Sequence, residues 1–257
     1  MAVAYRRDKL RGAGVAPPGD WGDLLDPGLR GRVAFATSPR EFVGVANRSL
    51  GRPFNEAGAA PPASRAATAA RMRELKAQAL TFDEKEATRA LVGGDAWVAV
   101  GNSEELLAAA ERSWNVEVVL PASGTALWAL MWVLPAGAEA KPNGPSPLLG
   151  DWYSYTATQP ARAAPERGLR GGASPLLLPG AGPPGGPSFG HVAPRTKRAW
   201  LPDKTLLPDA AVLERSEFLA PLTAGSRDQY DGLVRELNAY DNDDARGVTA
   251  LLGGRGR

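Results

Sequence analysis

The 257-residue chain contains no cysteine and a single histidine, His191. Without cysteine there are no disulfides and no thiolate chemistry. One imidazole in a Gly/Pro-rich tract cannot build a His/Cys metal cluster, so neither a metal nor another cofactor is expected. No apolar run approaches the ~18 residues of a membrane-spanning helix, which excludes a membrane span. The apolar Met1–Tyr5 precedes Arg6-Arg7-Asp8-Lys9, the reverse of the basic-then-apolar order of a secretory signal. No targeting signal is therefore read: either targeting lies elsewhere or the chain begins inside a longer gene. Charge of one sign is also lacking, because 30 Lys and Arg against 28 Asp and Glu leave a net +2. The pI near 9.0 reflects many arginines. No basic run interleaves with aromatics as a nucleic-acid surface would, so nucleic acid is excluded as a partner.

What remains is ordinary for a globular protein: 44% hydrophobic and 23% charged residues, in a chain long enough to bury a sizeable core. Residues 1–5 read as a strand and 6–20 as a loop carrying Gly12, Gly14, Pro17, Pro18 and Gly19. Asp20 is placed to cap a short helix over Trp21–Leu25, which Pro27 stops. Val33–Phe35 reads as a strand, and Pro39–Leu50 as a helix with Phe42, Val45 and Ala46 on one face. Ser64–Ala79 reads as helix and Leu80–Phe82 as strand. Asp83 opens a helix that ends at Gly93-Gly94. Ala96–Val100 has the continuous apolar character of a buried parallel strand. Ser103 reads as the cap of a helix through Arg112, before a strand at Val116–Leu120. This alternation predicts a parallel or mixed sheet with helices on both faces.

Pro121-Ala-Ser-Gly124 breaks the pattern. Thr125–Leu134 then reads as one long extended run, with Trp128, Leu130 and Trp132 on one face and Leu127, Ala129, Met131 and Val133 on the other. Leu148–Thr158 is predicted helical. Residues 160–194 are so rich in Gly, Pro, Ala and Arg that much of the segment is expected to be disordered. Helices are predicted over Asp209–Arg215 and Ser226–Ala239.

Four blocks, in order, carry a resemblance: Trp21–Phe42, Gly94–Ser103, Pro121–Pro135, and Leu201-Pro-Asp-Lys-Thr-Leu-Leu-Pro-Asp209. Together they resemble the spermidine/putrescine-binding branch of the solute-binding proteins of ABC transporters. The resemblance implies an α/β, periplasmic-binding-protein-like fold of type II, with one nearly complete lobe and a partial second one. Lobe two is expected at 6–123 plus 195–257, and a partial lobe one at 124–178, with the Gly/Pro-rich insert at 160–194. It further implies a non-catalytic protein that binds polyamine or a related cationic solute and hands it to ABC permease subunits. Its compartment would be the periplasm, or a plastid if the source is an alga.

A polyamine is a flexible aliphatic chain with terminal ammonium groups. Carboxylates pair the ammoniums, and aromatic faces flank the methylenes while adding cation–π attraction of roughly 0.5–2 kcal/mol. By resemblance Glu41 falls on an amine-binding glutamate and Trp128 on a cleft tryptophan, in a Gly-x-x-x-Trp pattern. A glutamate here also suits a helix N-terminus, and Trp128 also suits a strand packed on a core. Trp132 shares the face of Trp128, although core packing explains it as well. Asn102 and Ser103 could hydrogen-bond a ligand, Ser103 serving equally as a cap. Asp95 reads as a solvated turn residue.

The family pattern is broken where Ser38 replaces an acidic residue and Leu130 an aspartate, and the turn after Ala96–Val100 reads Gly101-Asn102-Ser103. A later Tyr and Gln align loosely with Ala173 and Leu219. Losing one buried ion-pair partner costs about 3–5 kcal/mol, so Leu130 predicts weakened polyamine affinity. The alternative reading is a truncated or degenerate member serving as an interaction surface or having no function. An enzyme is not supported, since neither a nucleophile–base arrangement nor a strand-linked phosphate loop is present.

Overall fold

The computed structural model describes residues 1–56, 62–128, 133–139, 146–153 and 210–243. The chain divides into two compact units, Met1–Trp128 with Pro208–Arg257 and Ala129–Leu207. The first unit is built on a five-stranded sheet ordered β3-β2-β4-β1-β5, comprising β1 (Ala2–Arg6), β2 (Val33–Phe35), β3 (Ala79–Thr81), β4 (Val98–Gly101) and β5 (Val116–Val119). The sheet is mixed. Strand β2 lies parallel to β3 and β4, whereas β1 is antiparallel to both β4 and β5.

The strand sequences AVAYR, VAF and VAVG alternate alanine with larger side chains. Because successive residues point to opposite faces, that alternation makes two unlike surfaces. Val3, Tyr5, Val33, Phe35, Val98 and Val100 join one core cluster with residues of α2 (Pro39–Ser49), α3 (Pro62–Gln78) and the long helix α8 (Ala224–Asp243). Trp21 from a short 3₁₀ helix, Trp21–Leu25, belongs to the same cluster. It is fully buried, meets Phe54 edge-on at 5.8 Å, and donates its indole N–H to the Gly124 carbonyl at 2.8 Å. Phe35, Phe42 and Phe82 form a second aromatic knot with centroids 5.1–5.4 Å apart.

The alanines Ala2, Ala4, Ala34 and Ala99 are equally buried but stand outside that cluster. Helices α4 (Glu84–Gly93) and α5 (Ser103–Arg112) pack together and against β1, β2, β4 and β5, with Ala87, Ala90, Leu91, Leu106, Ala109 and Ala110 buried. Small residues on both partners allow this close approach. Arg6 fastens β1 to the end of α4. Its guanidinium donates to the Val92 carbonyl at 2.8 Å, complementing the negative end of the helix, and pairs with Asp8 at 2.7 Å. The same ion pair holds the Asp8 carboxyl below the usual carboxylate range.

The structure corrects three sequence-based expectations and adds one strand pairing. The 6–20 segment is not all loop, because Arg7–Ala13 forms helix α1, closed by Gly14 in the left-handed region at φ 68°. Leu10 is its one buried residue, so no apolar periodicity announced it, and the nearby glycines read as a loop. At α5 the capping position belongs to Asn102 and Ser103 is the first helical residue; Asn102 makes no side-chain cap hydrogen bond. Within Thr125–Leu134 the described residues form a strand over Ala126–Leu127 only (β6), and Val133 and Leu134 are in neither helix nor strand. Finally, β6 pairs in parallel with β7 (Glu217–Phe218), a strand too short to leave a pattern. The α7 helix (Ala210–Glu214) and α8 agree with expectation, α8 starting slightly earlier.

In the second unit the described residues hold helix α6 (Ala136–Glu139) and a helical turn at 149–153, where the Trp152 and Tyr153 rings lie 5.7 Å apart. The 160–194 insert, the Leu201–Asp209 block, Leu130 and Trp132 lie outside the described residues.

Candidate functional site: the carboxyl rim of the sheet

Because β2 and β4 are parallel neighbours, their carboxyl ends come out side by side. Phe35 faces Val100 in register, and the Ala36 amide donates to the Val100 carbonyl at 2.7 Å. At the next step, a Cβ on Gly101 would stand 3.0 Å from the Ala36 Cβ, which keeps the two exits close. Helix α2 starts directly from the first exit and α5 from the second. Strand β1 is antiparallel to β4, with Ala2 opposite Gly101, so its start lies on this same rim. The Met1 nitrogen donates to the Ala126 carbonyl at 2.6 Å, and the Thr125 hydroxyl donates to the Met1 carbonyl at 2.8 Å. These bonds bring β6, and therefore Trp128, to the rim as well. Four of the five residues singled out from sequence thus converge on one edge: Ser38, Glu41, Asn102 and Trp128. The fifth, Trp132, lies outside the described residues.

Ser38 and Glu41 act on each other. The Ser38 hydroxyl accepts from the Glu41 amide at 3.3 Å, and Glu41 Oε2 accepts from the Ser38 amide at 2.7 Å. This reciprocal capping box satisfies two amides that a helix start would otherwise orphan. It also fixes the carboxylate at the rim, within electrostatic reach of the Met1 nitrogen. A carboxylate has about four lone-pair sites, so one backbone bond leaves it acceptor capacity. Arg40, in the same first turn, is held by the Ala220 carbonyl and by Asn55 Oδ1 at 3.3 Å.

Trp128 is 38% exposed, and Phe218 on the neighbouring strand is 59% exposed. Leu127 stands opposite Phe218 in register, so Phe218 shares the face of Leu127, the residue before Trp128. Sequence reasoning missed Phe218, whose strand partner is about ninety residues away in the chain. It also missed Thr37, at the β2 exit, whose hydroxyl oxygen is buried with no hydrogen-bond partner. Its position between a strand end and a helix cap was the available signal. Leu219 packs partly buried against the core. Ala173 lies outside the described residues.

The platform under Trp128 is held from behind. Glu217 accepts from the Phe54 amide at 3.1 Å and from Asn55 Nδ2 at 3.1 Å, and lies 3.7 Å from the Arg48 guanidinium. Gly124, at φ 97°, sits where a Cβ would come within 2.1 Å of the Arg215 carbonyl oxygen. Only glycine fits both that conformation and that approach. Among the described residues, no group of three or more His, Asp or Glu side chains gathers as a metal site, and no helix is long and apolar enough to cross a membrane.

A mixed sheet with helices opening from the carboxyl ends of its parallel strands is the type II periplasmic-binding-protein arrangement. The structure matches the spermidine/putrescine ABC transporter substrate-binding protein PotD of Streptococcus pneumoniae with a TM-score of 0.69 at 17% identity, over 93% of this chain and 66% of that one. A protein of Listeria monocytogenes described as a spermidine/putrescine ABC transporter matches with a TM-score of 0.63 at 20% identity, with the same coverage. The chain therefore spans just under two thirds of the length of both. No curated protein matches it. The profile of the bacterial extracellular solute-binding proteins matches residues 1–144. The chain belongs to that family.

Proposed function

We propose that the chain is the solute-binding subunit of an ABC-type uptake system, non-catalytic, for a polyamine or a related cationic solute. In this reading the first compact unit is lobe two and the second contributes to lobe one. ABC permease subunits receive the solute in the compartment outside the cytoplasmic membrane, the periplasm in a bacterium. The observation that carries the reading is the convergence of Glu41 and Trp128 on one rim of a fold shared with two proteins named for spermidine and putrescine. Glu41, held by its capping bond yet with lone pairs to spare, pairs an ammonium. Trp128 flanks the methylenes, and Asn102 offers an uncommitted polar cap at the same rim.

Calorimetric titration of the purified protein with spermidine and putrescine tests this. Binding is expected, and at a hundredfold excess over Kd it raises stability by about 2.7 kcal/mol, a Tm shift of roughly 5–10 °C for a chain of this size. Glu41→Gln is expected to weaken binding about 10- to 150-fold, the ~1.5–3 kcal/mol of a charge-assisted hydrogen bond. No heat and no Tm shift at millimolar ligand would overturn polyamine binding. The replacement of expected carboxylates by Ser38 and Leu130 favours a second reading, a member that has lost polyamine affinity and persists as an interaction surface or without function. That outcome of the titration would select it.

A further inference from the structure

Behind the rim, between α2, α3, α8 and the turn at Phe54–Glu56, lies a small cavity lined by Val43, Asn47, Glu56, Thr68, Gln229 and Tyr230, among others. Its volume is about 20 Å³, against the ~10–15 Å³ that one trapped water needs. An apolar void of this size would stay dry, but this one has mixed walls. Asn47 and Thr68 are almost fully buried, at 2% and 4% exposure, and are bonded to each other at 2.7 Å from the Thr68 hydroxyl to Asn47 Oδ1. Tyr230 is buried and donates to the Phe54 carbonyl at 3.3 Å.

Glu56 supplies the telling observation. One carboxylate oxygen, Oε1, accepts from the Ser64 hydroxyl at 2.9 Å. The other, Oε2, is buried with no hydrogen-bond partner, and its nearest cation, the Arg52 Nε, stands 3.7 Å away. A buried charged oxygen that accepts no hydrogen bond is among the costlier defects a fold can carry. A polar cavity of one-water size beside it removes the defect.

We propose that this cavity is an internal water site, in which one ordered water donates to Glu56 Oε2 and joins α8 to α2 and α3. Water suits the chemistry better than a cation, because Arg52 and Arg65 already stand at this carboxylate and along the cavity wall. The site is independent of the rim and of the solute proposed there. It adds a polar tie to the apolar seating of α8 on α3 and on α2, the helix that carries Ser38 and Glu41.

A high-resolution crystal structure of the protein, native and soaked in rubidium chloride, tests the site. The expected result is a single density peak within hydrogen-bonding distance of Glu56 Oε2 and of a second wall residue, with no rubidium anomalous signal. Empty density, a Glu56 side chain turned to solvent, or an anomalous peak at the position would each overturn the proposal. The Glu56→Gln variant keeps a polar atom at the same place and is expected to retain the peak. Glu56→Leu is expected to lose it, and a peak unchanged in Glu56→Leu would equally overturn the assignment.

Discussion

The two faces of the central sheet solve the same burial problem by opposite means. One carries valines, Tyr5 and Phe35 and meets aromatic residues of α2 and of the loops. The other carries alanines and receives α4 and α5 on their own small residues. The large-residue face stabilises through area and ring geometry, and its elements build the rim with Ser38, Glu41 and Trp128. The alanine face depends on close approach and leaves a groove of about 770 Å³ between α4 and α5, lined by Glu84, Lys85, Arg89, Glu105 and Arg112. Bulk thus supports the candidate edge, while thinness lets two helices lie flat on the opposite side.

The largest effect is expected from removing bulk on the first face. Trp21→Ala should cost about 3–5 kcal/mol, the usual penalty for truncating a fully buried aromatic, and should also orphan the Gly124 carbonyl. Urea denaturation followed by circular dichroism checks it, and a loss below 1 kcal/mol would contradict the packing described. Adding bulk to the thin face is the complementary break. Ala99→Leu should cost about 1–3 kcal/mol by overpacking against the α4–α5 layer, read as a lowered urea midpoint at unchanged m.

A third experiment addresses the groove. Burial, then the hydrogen bond and charge of Glu84, then the charge of Glu104, raise the Glu105 carboxyl from its usual value to about 7. A raised carboxyl means that the folded protein binds the proton more tightly than the unfolded chain. Its stabilising share is thus fully present below the ordinary glutamate range, declines as pH rises, and is gone above about 7. Glu105→Gln should flatten Tm against pH across that window and leave the variant more stable than the native protein above it. Parallel Tm profiles for the two proteins would refute the coupling. The smallest effect is expected at the rim itself. Ser38→Ala should cost about 0.5–2 kcal/mol through loss of the cap, visible as a lowered Tm, without disturbing the sheet.

Much of this was legible before the tertiary structure. Val33–Phe35 coincides with β2 because a short apolar run between Gly31 and Pro39 admits little else. The α2 capping box was readable in Ser38-Pro-Arg-Glu41, and the α4 cap in Asp83, whose side chain accepts from the Glu86 amide at 2.8 Å. Helix α1 was not legible, since one buried leucine makes no periodicity. Strand β7 was not either, because two residues acquire strand geometry only from a partner distant in sequence. The role of Glu41 was half legible. The motif suggested both a helix cap and an amine-binding carboxylate, and the structure exhibits the capping bond while leaving acceptor sites on the same group.

The local sequence by itself determined the helices with caps, the buried strands, the alternation that makes one face thick and the other thin, and the family through its ordered blocks. Those properties depend on residues close together in the chain, whose spacing is set by covalent geometry. Tertiary structure alone decided that β1 runs antiparallel, so that its start meets the ends of β2 and β4. It alone tied β6 to Met1 and β7 to β6, bringing Trp128 and Phe218 to the edge where α2 opens. It also enclosed the polar cavity beside Glu56. These outcomes depend on hydrogen bonds between segments about a hundred residues apart, whose pairing no local pattern encodes.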